Sequence, residues 1–230
     1  MFPGDRMNPA HTTSPDSAIL RAISREEMAT LPIRRYEGEV SLVATLSELE
    51  RALEDLAQEH VVGLDTETRP AFRKGEVHLP CLVQVATARR VYLFQLRAPL
   101  VLSPVAGLLA DAHIAKAGIA LAHDLRTLKQ LFPFEERNVI DLGIEAKKRW
   151  RLEQTGLRNL AGIFLGVRIP KGARTSNWAA PRLTAAQITY AATDAWVCRE
   201  LFLRFQTLGL LLATTQARSH SEGRPPQSRA

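Results

Sequence analysis

The chain has 230 residues, of which 46% are hydrophobic and 23% are charged, and its formal net charge is +6. This balance is typical of a globular chain of about one domain and excludes collagen, coiled-coil and disulfide-scaffold classes. No apolar run reaches the roughly 20 residues of a membrane helix, there are only two cysteines, and the start lacks a secretory pattern, so we expect a soluble, cytoplasmic protein with no membrane partner.

We expect the two ends of the chain, residues 1–17 and 213–230, to be disordered. Between them, apolar periodicity predicts the strands and helices. Residues 18–212 would form one domain. In chain order the predicted elements are a strand at 40–45, a helix at 47–60 capped by Ser47, a strand at 61–67, a hairpin of strands at 81–86 and 90–96, a helix at 103–112, a strand at 115–119, and helices at 124–132, 141–150, 157–165 and 184–208. Strands first and helices later favour a mixed α/β layer.

Acidic side chains occur at three places in this pattern. Asp65 and Glu67 end the strand at 61–67, and because side chains alternate along a strand, both lie on one face of the sheet. Tyr190 and Asp194 are four residues apart on the last predicted helix, so they share a helix face. Asp124 by itself is typical of a helix N-cap. Each pattern alone is also compatible with ordinary surface acids.

Together these acids form a ligand set that contains only oxygen. Mg²⁺ and Mn²⁺ prefer carboxylate and water oxygens, and the absence of His and Cys clusters from the sequence disfavours zinc. Two such ions about 4 Å apart can activate a water and stabilise the leaving oxygen in phosphodiester cleavage. The sequence therefore predicts a site for divalent cations.

The positive charge is concentrated in one segment. Residues 147–182 hold nine basic residues and one acidic residue, for a net charge of +8, and the rest of the chain sums to −2. A basic segment on a near-neutral body is common in proteins that bind nucleic acid, although a solvated cationic face has the same composition. Charge alone leaves these two interpretations equally weighted.

Three segments resemble the DEDDy 3′-to-5′ exonucleases, the superfamily of ribonuclease D and of proofreading exonuclease domains. They are VVGLDTE at 61–67, the aspartate of AHDLRTLKQLF, and SNWAAPRLTAAQITYAATDAW before and within the last helix. The Arg-Pro after DTE, the loop AFRKGE and the SNW sequence look most like the Werner-syndrome-type exonuclease domain and its bacterial relatives. The resemblance covers about residues 40–208. It implies an α/β, ribonuclease H-like exonuclease fold with a mixed central sheet flanked by helices.

The resemblance also implies a function and a set of site residues. The protein would be a metal-dependent 3′-to-5′ exonuclease that releases nucleoside 5′-monophosphates from DNA or RNA. Two divalent cations, Mg²⁺ or Mn²⁺, would be held by four carboxylates, those of Asp65, Glu67, Asp124 and Asp194. Tyr190 would orient or deprotonate the attacking water.

Substrate contacts are expected in the loops around these segments. The candidates are Lys74, His123, Arg168, Lys171, Arg174 and Trp178. The Lys and Arg side chains would contact phosphates. Trp178 would pack the SNW segment against the last helix, which is the favoured interpretation, or stack on a base. Asp141 matches a recurrent acid of the family, and we interpret it as structural. One departure is that many relatives place an Asn and an aromatic residue shortly before the third acid, where this chain reads ALAHD at 120–124.

Two alternative functions stay open at this point. A nuclease specialised for very short RNA would share every catalytic residue and differ in how its pocket closes. A non-catalytic nucleic-acid-binding module on the same fold usually loses acids, and the retention of all four argues against it. Substrate choice would come from the single domain or from assembly into a homo-oligomer, and the sequence does not choose between ribose and deoxyribose.

Overall fold

The computed structural model describes residues 22–73 and 75–211. Six strands form one sheet in the order β1-β4-β3-β2-β5-β6. The strands are β1 (Glu39–Val43), β2 (Val61–Thr68), β3 (Pro80–Ala86), β4 (Arg90–Gln95), β5 (Ala115–Gly118) and β6 (Val139–Asp141). β3 runs antiparallel to both of its neighbours, β2 and β4, and the other neighbouring pairs are parallel. The predicted mixed sheet is confirmed.

Helices cover both faces of this sheet. They are α1 (Arg25–Thr30), α2 (Leu46–Leu56), α3 (Leu102–Ala110), α4 (Leu121–Leu128), α5 (Leu142–Trp150), α6 (Leu157–Leu160) and α7 (Ala185–Thr207). A π-helical turn at Ala161–Leu165 continues α6. Two elements, α1 and β6, were not predicted, because each is too short to show a periodic pattern. Within the described part of the chain, no helix combines the length and the apolar character needed to cross a membrane.

Side-chain alternation along β2 divides the core between its two faces. Val62 and Leu64 are buried with residues of α2, α3 and α4 on one face. On the other face, Val61 is buried with residues of α7, and Gly63 lies against the α7 backbone. Asp65 and Glu67 follow Gly63 at steps of two, so the same alternation directs them toward α7.

Helix caps set where two of the helices begin. The Thr45 hydroxyl accepts a hydrogen bond from the Glu48 backbone nitrogen at 3.4 Å, and the Glu48 carboxylate accepts one from the Thr45 nitrogen at 2.9 Å. This reciprocal cap starts α2 at Leu46, so the predicted cap at Ser47 is wrong. Thr184 and Gln187 form the same arrangement at the start of α7, where the sequence predicted it.

Helix α4 also begins earlier than the sequence predicted. It starts at Leu121, so Asp124 lies in its first turn and is not its N-cap. The carboxylate of Asp141 accepts hydrogen bonds from the backbone nitrogens of Leu121 at 3.2 Å and of Ile144 at 3.1 Å. Asp141 therefore supports the starts of α4 and α5 together, in agreement with a structural role.

The residue before α4, Ala120, has a left-handed backbone with φ 58° and ψ 31°. A Cβ in this conformation costs roughly 1–2 kcal/mol, which glycine avoids. Part of that gain is lost because glycine has more freedom in the unfolded chain. We expect Ala120→Gly to stabilise the protein by about 0.5–1 kcal/mol in urea unfolding. Ala122→Gly, at an exposed position inside α4, is the control and should cost about 1 kcal/mol; equal losses in both variants would contradict the strain at Ala120.

Candidate active site

The site is built where α7 crosses β2 at Gly63. A Cβ at this position would overlap the carbonyl oxygen of Ala195, so only glycine allows the helix and the strand to approach this closely. Asp194 immediately precedes Ala195 on the helix. The close approach therefore brings Asp194 to the carboxylates of Asp65 and Glu67 on β2.

Three carboxylates meet at this crossing. Asp65, Glu67 and Asp194 each offer one oxygen, and these oxygens lie within 4.8 Å of one another. Glu67 and Asp194 are each only 7% exposed. Buried carboxylates this close repel one another unless they bind protons or a cation. Because the donors are all oxygens, the cluster fits a hard divalent cation such as Mg²⁺ or Mn²⁺.

Burial raises the pKa of each of these acids, and the charges of neighbouring acids raise it further for Asp65 and Glu67. Burial, followed by the charges of Asp194 and Asp124, holds the pKa of Asp65 well above its usual value. Burial, followed by the charge of Asp65, raises the pKa of Glu67 to about 9. Burial raises the pKa of Asp194 to about 6. Without metal, the site therefore retains protons that a bound cation would displace.

Asp124 approaches the cluster from α4, on the other face of the sheet. Burial raises its pKa to about 6, opposed by the Thr66 hydroxyl and by His123. Its charge acts on both Asp65 and Glu67, but it is not one of the three residues whose oxygens lie together. The structure thus gathers three of the four predicted metal ligands and places the fourth within electrostatic reach.

Tyr190 lies one turn before Asp194 and is held by the loop that precedes α7. Its ring centroid is 5.9 Å from that of Trp178, and a Cβ on Gly172 would overlap the tyrosine ring. Burial, followed by the charges of Asp194 and Glu67, raises the pKa of the Tyr190 hydroxyl. The hydroxyl therefore keeps its proton at neutral pH, one helical turn from the Asp194 carboxylate.

These pKa values predict a pH-dependent response to metal. An acid whose pKa is raised in the folded state stabilises that state below its unfolded pKa, and this contribution is lost as pH rises through the folded value. Glu67 has a pKa of about 9 and Asp194 a pKa of about 6. The metal-free protein should therefore become progressively less stable as the pH rises from 5 to 9. Because a cation replaces the protons, the increase in Tm caused by millimolar Mg²⁺ should grow over this range.

Differential scanning fluorimetry at pH 5.5, 7 and 8.5, with Mg²⁺ or with EDTA, measures this response. Asp65→Asn is the matched variant, since it removes one member of the cluster and should reduce both the increase in Tm and its pH dependence. An increase of the same size at every pH, or none at any pH, would contradict a cation site made of these acids.

A cavity of about 920 Å³ opens beside the carboxylates and is bordered by basic side chains. Its lining includes Asp65, Asp194, Tyr190, Arg158, Lys171 and Arg174. Arg158 and Arg174 lower the pKa of Asp194. Lys171 and Arg174 were predicted as substrate contacts, and the structure brings both to the site. Arg158 was counted only within the basic segment, because its place beside Asp194 depends on the tertiary fold.

Three of the other predicted contacts, Trp178, Arg168 and His123, are not part of the lining of this cavity. Trp178 is 1% exposed and packs on Tyr190 of the last helix, so the structure shows the packing role predicted for it and not the alternative of base stacking. Arg168 pairs through its backbone with Ile33 and is not part of the cavity lining, so its contact with a phosphate stays a prediction. His123 is exposed, and its Nδ1 lies 3.0 Å from a guanidinium nitrogen of Arg126. Lys74 lies outside the described residues.

Comparison with known proteins identifies the family. A family model described as 3′-5′ exonuclease matches residues 40–209. The chain belongs to this exonuclease family. It is 32% identical over 164 residues to ribonuclease D of Gluconacetobacter diazotrophicus, covering 70% of this chain and 41% of that protein. It is 27% identical over 188 residues to the mouse bifunctional 3′-5′ exonuclease/ATP-dependent helicase WRN, covering 78% of this chain and 13% of that protein.

The fold of this exonuclease family member is also seen in a solved structure. The Nibbler EXO domain of Aedes aegypti superposes with a TM-score of 0.66 at 22% identity, covering 76% of this chain and 94% of that one. The predicted ribonuclease H-like exonuclease fold and the ribonuclease D and Werner-type resemblance are confirmed. The chain spans less than half the length of the two curated relatives.

Proposed function

We propose that this chain is a metal-dependent 3′-to-5′ exonuclease that hydrolyses phosphodiester bonds of nucleic acid and releases nucleoside 5′-monophosphates. The observation that carries the proposal is the carboxylate cluster of Asp65, Glu67 and Asp194, with oxygens within 4.8 Å of one another, beside a cavity with a cationic border. Membership of the 3′-5′ exonuclease family supports the direction of cleavage.

Asp65, Glu67 and Asp194 would hold the first divalent cation, Mg²⁺ or Mn²⁺. We propose that a second cation is bound with the help of Asp124, whose charge acts on Asp65 and Glu67. When bound, such cations supply Lewis acidity at the scissile phosphate. The cluster fits this role because buried carboxylates that repel one another are best compensated by a concentrated positive charge.

Other residues would position the reactants. Tyr190 keeps its hydroxyl proton beside Asp194, so it can donate a hydrogen bond and orient the attacking water, and it need not remove a proton. Arg158, Lys171 and Arg174 line the same cavity and would bind the negatively charged strand. Catalysis would then depend on positioning and charge compensation, without a covalent intermediate.

The substrate class is proposed from the site and from the relatives together. Ribonuclease D is named for action on RNA, so RNA belongs among the substrates to test, beside DNA. Cleavage restricted to dinucleotides would support the alternative of a nuclease for very short RNA. A cytoplasmic location and assembly into a homo-oligomer stay predictions.

A degradation panel tests the proposed function. The substrates are 5′-labelled DNA and RNA strands of matched sequence and a labelled dinucleotide, each incubated with Mg²⁺, Mn²⁺ or EDTA. We expect a ladder that shortens from the 3′ end, mononucleotide products, and no cleavage in EDTA. Internal fragments, or cleavage that survives EDTA, would contradict the mechanism. Strand binding without any cleavage would instead indicate a non-catalytic binding module.

A further inference from the structure

One wall of the catalytic cavity comes from outside the matched family region. The family match begins at residue 40, whereas α1 contributes Arg25 and Met28 to the lining of the cavity that contains Asp65 and Asp194. The cavity therefore extends from the carboxylates to a helix that precedes the family domain in sequence.

Helix α1 is held in place by tight packing. Ile23, just before the helix, is 8% exposed. A Cβ on Gly162 would lie 2.7 Å from the Met28 Cε atom and 3.1 Å from the Ile23 Cδ1 atom, so both side chains fit against this glycine. Ser24 and Glu27 form a reciprocal cap at the start of the helix. These contacts fix the direction in which α1 presents its first residue, Arg25.

Backbone hydrogen bonds hold the segment that follows α1. The Arg168 nitrogen donates to the Pro32 carbonyl oxygen at 2.9 Å, and the Arg34 nitrogen donates to the Arg168 carbonyl oxygen at 3.1 Å. The Tyr36 nitrogen donates to the Thr193 hydroxyl of α7 at 3.0 Å. Residues 22–36 are thus joined to the loop before α7 and to α7 itself, and their position follows that of the catalytic helix.

Arg25 adds an available charge at the outer part of the cavity. It is exposed, and among the residues that the structure describes, no carboxylate forms an ion pair with it. Arg25 and the buried Asp194 line the same cavity, so the cavity runs from the buried carboxylates to an exposed arginine on α1.

We propose that residues 22–36 form part of the substrate-binding surface, and that Arg25 binds a backbone phosphate upstream of the scissile one in a single strand of several nucleotides. This proposal rests on the proposed function and adds a determinant of substrate length to it. A polyanionic strand that places its 3′ end at Asp65 and Asp194 would follow this cavity, which Arg25, Arg158 and Arg174 line. The single internucleotide phosphate of a dinucleotide is the scissile one, so a dinucleotide offers Arg25 no upstream backbone phosphate.

The test measures binding of a 5′-fluorescein 12-nucleotide single strand by anisotropy in Mg²⁺, with Asp194→Asn present in every protein to prevent cleavage. For single strands, the slope of log K against log salt is about −0.7 per neutralised phosphate. We expect Arg25→Gln to make this negative slope shallower by about 0.7 and to weaken binding about three- to fivefold at low salt. Arg51→Gln is the matched control, since Arg51 is an exposed arginine on α2 outside this cavity.

A second readout uses hydrolysis, in the background that retains Asp194. The loss of kcat/KM caused by Arg25→Gln should be larger for the 12-nucleotide strand than for a dinucleotide, and Tm should stay the same because the cap formed by Ser24 and Glu27 is intact. If the strand binds but Arg25→Gln and Arg51→Gln have the same slope and affinity, only this inference is overturned. If the protein with Arg25 binds no strand, the proposed function is overturned as well.

Discussion

Asp194→Asn is expected to lower the rate of 3′-to-5′ hydrolysis by about 10³-fold or more, while strand binding stays nearly intact. Asparagine preserves the shape of the side chain but removes one of the three charges that meet within 4.8 Å, so the cluster binds a divalent cation less tightly and compensates less charge at the phosphate. Asp65→Asn should have the same effect from the β2 side. A 5′-labelled single strand resolved on a gel measures the rate, and anisotropy measures the binding.

The same substitution should have the opposite effect on stability. Burial raises the pKa of both acids, and the charge of Asp194 raises that of Asp65 further. Removing one charge from the metal-free protein should therefore raise its Tm at pH 8. Glu54→Gln, an exposed acid on α2, is the control and should change neither activity nor stability. Full hydrolysis by either Asp65→Asn or Asp194→Asn would show that the cluster is not the catalytic site.

Gly63→Ala is expected to destabilise the protein by about 3 kcal/mol or more and to abolish activity. The added Cβ would overlap the carbonyl oxygen of Ala195 and would lie 2.8 Å from the Arg199 backbone nitrogen. Both are atoms of the helix backbone, so α7 as a whole must move away from β2, and overpacking of this kind is costly. The movement would also carry Asp194 away from Asp65. Urea unfolding and the strand-cleavage assay measure the two effects.

Gly107→Ala provides the matched control for this change. Gly107 is an exposed residue inside α3, and a Cβ there would meet no atom within 4 Å. The substitution should stabilise the protein by about 0.5–1 kcal/mol, because alanine favours the helix over glycine. If Gly63→Ala unfolded at the same urea concentration as the unchanged protein, the close approach of α7 to β2 would not be what holds the site together.

Much of the site could be predicted because its residues belong to elements with clear local patterns. β2 is an apolar run that ends in Asp65 and Glu67, and its period of two places both on one face whatever the rest of the chain does. α7 begins at the Thr184 cap, and its period places Tyr190 and Asp194 one turn apart. The basic segment was visible as composition, but the individual contacts within it were not.

The points that the sequence left open or missed have a common physical cause, which is that they concern contacts between segments distant in sequence. For Trp178 the sequence favoured packing over base stacking, and its burial against Tyr190 decides for packing. Arg168 has the charge expected of a phosphate contact, but its backbone pairs with Ile33 and it is not part of the cavity lining. The unpredicted helix α1 has only six residues, and packing on Gly162 places it beside the cavity.

The sequence by itself determined the order of the longer strands and helices, the exonuclease resemblance and the identity of the acids, because these depend on local periodicity and on residue type. Only the tertiary structure decided which charges share one site. The approach of α7 at Gly63 brings Asp194 to Asp65 and Glu67. The net charge of +6 does not show where the positive charge lies on the protein. Folding places only some of the residues of the basic segment, together with Arg25, along the catalytic cavity.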